Sequence, residues 1–158
     1  MNGTDGSGMT AQRGLAIARL VIGAMFVWVF FENYRKGLYT AKGYADLINV
    51  YIDRGHAPAA WKSIMAMAAA NASLAAPAQA VTEITFGVLL ALGLFTRPVA
   101  LAAGLFLTSL WVSEWGTAWI WELLVPLSVA FALAVGGAGR HWGLDAWLAR
   151  KDPNSLLW

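Results

Sequence analysis

Three ionisable residues stand inside stretches that are otherwise apolar: Arg19 in GLAIARLVIG, Glu83 in VTEITFGVLL and Glu122 in IWELLVP. Charges at such places are costly, face the interior of a helix bundle and mark ion pairs, proton transfer or ligand sites. Gly87 and Ala91 follow Glu83 at i+4 and i+8. This small-residue stripe turns the carboxylate toward a neighbouring helix. It is open whether Glu83 pairs with Arg35 or Lys36, is protonated because burial disfavours the anion, or only holds helices together. Pro126 follows Glu122 at i+4, so the Glu122 carbonyl loses its helical N–H partner and a kink is expected. Glu32 and Glu114 end apolar runs on the same side, so four carboxylates converge there beside Trp111, Trp115, Trp119 and Trp121. Aromatic walls with a few polar groups suit a flat ring ligand such as a quinone head; the same tryptophans also suit an interfacial belt. The candidate proton-exchanging groups are Glu83 and Glu122, and the candidate quinone or polar pocket is Arg19, Glu83, Glu114, Trp119 and Glu122. Arg19 has Gly23 at i+4, where another helix can approach. It either snorkels to the interface or forms an anion or carbonyl site, or a pair with Asp145.

The composition says what solvent surrounds these groups. Of the 158 residues 59% are hydrophobic and only 13% charged, about half the roughly 25% charged residues of a soluble domain. Mean hydropathy is +0.57. So short a chain cannot bury that much apolar surface in water, which leaves an integral membrane protein. With no Cys, disulfides and Cys-held clusters are excluded. The two His, His56 and His141, lie outside the apolar runs, so no bis-His haem or metal site is expected. A net charge of +2 without clustered Lys and Arg argues against nucleic acid.

The expected class is all-α: an up-down bundle of four transmembrane helices, with interfacial helices in the first loop and at the C-terminus. Residues 1–13 read as a disordered tail, and residues 14–150 as one membrane bundle. Spans are expected at 14–34, 77–95, 99–113 and 118–135, each near the length that crosses a core of about 30 Å. Pro77 is expected in a first helical turn. Helices at 43–54 and 59–70 are expected to lie at the membrane surface; the Ala-rich second one could instead be partly inserted. Residues 140–150 suggest a short interfacial helix, and 151–158 a tail. Tight turns make neighbouring spans antiparallel and put both termini on one side, assigned to the cytoplasm from the positions of Lys and Arg.

Residues 83–97 (EITFGVLLALGLFTR) and 138–146 (AGRHWGLDA), with Arg19 and Gly23, carry a resemblance. The chain resembles the DoxX/DoxD family of small four-helix membrane proteins, and within it the small membrane subunit of thiosulfate:quinone oxidoreductase. Gly23, Gly87, Gly93, Arg97, Arg140 and Asp145 are the further motif positions. The resemblance implies a prokaryotic cytoplasmic (inner) membrane, cytoplasmic N-terminus, partner subunits and a link to quinone. It names no catalytic residue. The expected function is therefore a membrane subunit of a quinone-linked oxidoreductase, with no redox centre of its own and no covalent cofactor. Partners are the lipid bilayer, a larger complex and a second copy in a homo-oligomer. A structural subunit of a respiratory or photosynthetic complex is the alternative. A small transporter or proton channel ranks third, because inverted repeats are absent.

Overall fold

The computed structural model describes residues 4–153, 155 and 157. Among them are seven α-helices and no strand: α1 (Thr4–Arg35), α2 (Ala41–Arg54), α3 (Ala59–Ala70), α4 (Ala72–Leu92), α5 (Thr96–Ser113), α6 (Ile120–Gly136) and α7 (Asp145–Lys151). A short 3₁₀ turn, Ala138–Arg140, precedes α7.

Helix α1 packs on α4 and α6, α4 on α5, and α5 on α6, closing a ring of four helices. Gly23 lies against Gly87 and Ala91 while Asn33 reaches Glu83, so α1 and α4 run antiparallel. Their backbones touch at this crossing: a Cβ on Gly23 would lie 2.7 Å from the Ala91 nitrogen. Gly23→Ala is therefore expected to push the helices apart at a cost of about 1–3 kcal/mol. A lowered thermal midpoint in detergent is the readout; an unchanged one would contradict the close crossing.

A few charged side chains lie inside an otherwise apolar core, and many large apolar ones lie on the surface. Arg19, Glu83 and Asp145 are buried, while Ile17, Val21, Trp28, Leu74, Val81, Leu105 and Val135 are exposed. Gly8–Arg35 and Ala72–Leu92 are long and apolar enough to cross a membrane, and Ile120–Gly136 is a shorter apolar helix. Phe26, Phe86 and Phe106 form the middle of the core, with ring centroids 5.6 to 6.3 Å apart.

Several boundaries differ from expectation. The segment expected to be a disordered tail is helical from Thr4; Met1, Asn2 and Gly3 lie outside the described residues. Extending an existing helix costs no new nucleus. Pro77 lies inside α4, not in its first turn, because the helix starts at Ala72 and only Asn71 separates it from α3. Helix α6 runs through Pro126. The C-terminal helix begins at Asp145 rather than 140 and takes in Lys151; of the expected tail, Asn154, Leu156 and Trp158 lie outside the described residues.

Candidate functional site

The sequence-marked charges separate to the two ends of the bundle. At one end Arg19 is fully buried. Its Nη1 donates to the Leu90 carbonyl at 3.1 Å and its Nη2 to the Trp142 carbonyl at 2.9 Å. Leu90 belongs to the last turn of α4, where carbonyls lack helical partners and a cation is favoured. Gly93 ends that helix with φ +65, a conformation glycine adopts without a Cβ penalty; any Cβ there would run into Arg19. Asp145 does the complementary work at the start of α5. Its carboxylate accepts from the Phe95 nitrogen at 2.7 Å and the Thr96 nitrogen at 2.8 Å, the free amides of a helix N-terminus. Gly139 has no room for a Cβ beside Asp145 and Thr96. Arg97 lies beside Gly137, and Arg140 reaches the Pro153 carbonyl at 3.4 Å. The motif positions 93–97 and 139–145 thus form one junction, buried at Arg19, Gly93, Thr96, Gly139 and Asp145, that ties the C-terminal segment to the α4–α5 turn.

At the other end lies a cavity of about 890 Å³. Phe26 and Phe106 line it, as do Tyr44 and Tyr51 from α2 and Trp61 and Met65 from α3. Helices α2 and α3 roof it. The Trp61 indole donates to Ser113 Oγ at 2.9 Å, and the Tyr51 hydroxyl to Glu114 Oε1 at 3.0 Å. Lys62 Nζ donates to the Ile52 and Gly55 carbonyls at 2.6 and 2.8 Å, a cation closing the end of α2. The expected interfacial helices therefore turn an aromatic face onto the bundle.

Glu83, Glu114 and Glu122 all line this cavity. Glu83 is 1% exposed and is held by neutral donors: Gln79 Nε2 at 2.7 Å, Asn33 Nδ2 at 3.2 Å and the Tyr39 hydroxyl. The expected ion pair with Arg35 or Lys36 does not form. Lys36 binds Glu32 instead, at 2.7 Å on the surface, and Arg35 donates to the Phe31 carbonyl at 3.3 Å. Glu32 is thereby removed from the converging carboxylates. Burial, then the Glu83 carboxylate, raises the Tyr39 phenol, keeping it protonated as a donor.

Two expected pocket residues are corrected. Arg19 belongs to the opposite junction, and Trp119 is 77% exposed and does not line the cavity. Trp115 and Trp121 are also exposed, and Trp111 stacks on Trp115 with centroids 6.0 Å apart. The aromatic walls come from Tyr44, Tyr51 and Trp61 instead.

Glu114, just beyond the end of α5, has its pKa raised, first by burial and also by the nearby Glu122, against the lowering effect of the Tyr51 hydroxyl. A raised carboxylate favours the fold while protonated and loses that contribution as pH climbs through the folded pKa. The wild type should therefore lose stability as pH rises from about 4.3, the ordinary glutamate value, toward neutral. Glu114→Gln should flatten that slope. Thermal midpoints of both proteins across this range check it; parallel curves would remove Glu114 as the cause.

The family model DoxX matches residues 14–114, a stretch holding Arg19, Glu83 and the first side of the α4–α5 junction. No curated protein and no solved structure gave a match.

Proposed function

Because the chain belongs to the DoxX family and two of its helices are long and apolar enough to cross a membrane, we propose that it is the integral membrane subunit of a quinone-linked oxidoreductase complex, of the thiosulfate:quinone type, and that its aromatic cavity takes the quinone head. The observation that carries this is Glu83, a buried carboxylate held by three neutral donors at the edge of a cavity with aromatic walls. A volume of about 890 Å³ lies in the range of about 300–1,000 Å³ usual for small-molecule sites. Phe26, Tyr44, Tyr51 and Trp61 offer ring surfaces, and Glu114 and Glu122 offer proton acceptors. A quinone supplies a two-electron, two-proton couple when bound. The chain contributes position, exclusion of water and carboxylates that exchange protons; Glu83 and Glu122 are the proposed proton-exchanging pair. With no Cys and no His pair in the spans, electrons come from a partner subunit.

In this proposal α1, α4, α5 and α6 all cross the membrane. At about 1.5 Å per residue the 18 and 17 residues of α5 and α6 reach about 25–27 Å, close to a hydrocarbon core of about 30 Å. The junction end, which carries the start of α1 and helix α7, faces the prokaryotic cytoplasm, and the cavity opens toward the other side. Purification of the native assembly in mild detergent tests the function. A co-purifying quinone and a redox subunit are the expected result. An assembly rich in lipid but free of quinone would make the chain a structural subunit. Proton flux in liposomes carrying the chain alone would make it a channel.

A further inference from the structure

The polar groups lining the cavity are unevenly matched. Most hydroxyls there are already committed as donors within the protein. Tyr51 donates to Glu114, Ser113 to the Ser109 carbonyl, Ser109 to the Phe106 carbonyl, and Thr117 to the Glu114 carbonyl. The Trp61 indole is likewise spent on Ser113. What remains to donate is the Tyr44 hydroxyl and the second amide protons of Asn33 and Gln79. On the accepting side stand carboxylates. Glu114 Oε2, half-buried, and the Glu122 carboxylate, exposed at the mouth of the cavity, take no hydrogen bond among the described residues. Lys36, the only cation among the described residues that line the cavity, is bound to Glu32.

A ring ligand therefore meets surplus acceptors and negative charge at the Glu114–Glu122 side. A quinone presents two carbonyl oxygens, which only accept. A hydroquinone presents two O–H donors, and hydrogen bonds to a charged group are worth about 1.5–3 kcal/mol, more than neutral ones. Anionic ligands meet three carboxylates and no free countercharge. We infer that this cavity selects the reduced, hydroxyl-bearing ring, binding a neutral hydroquinone in preference to the quinone and excluding anions, with Glu114 and Glu122 as the accepting groups that set the preference. This rests on the proposal that the cavity is a quinone site and adds which redox form it favours. A tenfold preference for the reduced form raises the two-electron midpoint of the bound couple by about 30 mV.

The test is anaerobic titration calorimetry on the purified full chain in detergent. The probes are a short-tailed benzohydroquinone, the corresponding benzoquinone and the dimethyl ether of the hydroquinone. The hydroquinone is expected to bind at least tenfold more tightly than the other two. In the double variant Glu114→Gln, Glu122→Gln the preference should fall below threefold, since each amide adds donors. Equal or tighter binding of the quinone overturns the preference and leaves the quinone site standing. Equal binding of the ether overturns it too, by showing that ring size alone decides. Failure of all three to bind overturns the quinone site itself, and the preference with it. The wild-type comparison stands alone if the double variant does not fold.

Discussion

Arg19→Met is expected to destabilise the chain by about 3–6 kcal/mol, the loss of two hydrogen bonds from a buried charged group at about 1.5–3 kcal/mol each. The methionine fills much of the same volume, so the loss is electrostatic. The carbonyls of Leu90 and Trp142 lose their guanidinium donors. Asp145 keeps its amide bonds to Phe95 and Thr96 but loses the positive charge whose attraction reaches it. Arg19→Lys should fall in between, because a single ammonium cannot reproduce the planar fork that serves two carbonyls. Asp145→Asn should also be costly, since one of its two accepting oxygens becomes an NH₂ group facing an amide. Combining Arg19→Met with Asp145→Asn should cost less than the sum, because neither partner is then left as a lone buried charge. The measurement is the thermal midpoint in mild detergent, read with the monodisperse fraction after heating. If Arg19→Met unfolds within about 1.5 kcal/mol of wild type, the smallest effect that marks a charged hydrogen bond, the guanidinium is snorkelling rather than holding the junction.

The cost of burying Arg19 and Glu83 is legible in the sequence, and so is the small-residue crossing at Gly23 and Gly87, whereas Glu122, in an equally apolar run, is exposed. Where each charge goes is less legible. Two of the three Arg19 guanidinium nitrogens are held by backbone carbonyls from two distant segments and Nε has no partner; every residue carries a carbonyl, so no side-chain pattern points to Leu90 or Trp142. The motif spacing at 93–97 and 139–145 is the only signal that these stretches act together. The tryptophans show a second limit. Trp119, just before α6, and Trp61, in α3, both border apolar runs, yet Trp119 is exposed and Trp61 covers the cavity. Periodicity says that a face meets something apolar, and lipid and protein satisfy it equally. The α3 face containing Trp61 and Met65, expected to lie on the membrane, lies on the bundle instead. Likewise the hydropathy that makes Glu83 conspicuous cannot show that its partners are Gln79, Asn33 and Tyr39 rather than a lysine. Gln79 at i−4 is the one partner that helical spacing alone points to.

Glu83→Gln is expected to lower quinone affinity and turnover by at least tenfold while the assembled complex stays intact. The glutamine keeps the size of the side chain but replaces one carboxylate oxygen with NH₂. That group confronts Gln79 Nε2, Asn33 Nδ2 or the Tyr39 hydroxyl, all of which now donate to Glu83. At least one of the three must turn away. Tyr39 is the freest to go, because it lies on the short connection between α1 and α2, and its movement loosens the attachment of the roof beside the cavity. Glu83→Ala is a harsher change. It leaves the three donors without an acceptor, at about 1–3 kcal/mol for each that stays buried, and opens a void between α1 and α4. A thermal midpoint near wild type for Glu83→Gln and a sharply lowered one for Glu83→Ala is the expected pair. Turnover by the partner complex, measured with each variant at equal occupancy, then separates the two roles of this residue. If Glu83→Gln turns over quinone at the wild-type rate, Glu83 is a structural anchor and the proton-exchanging role passes to Glu122.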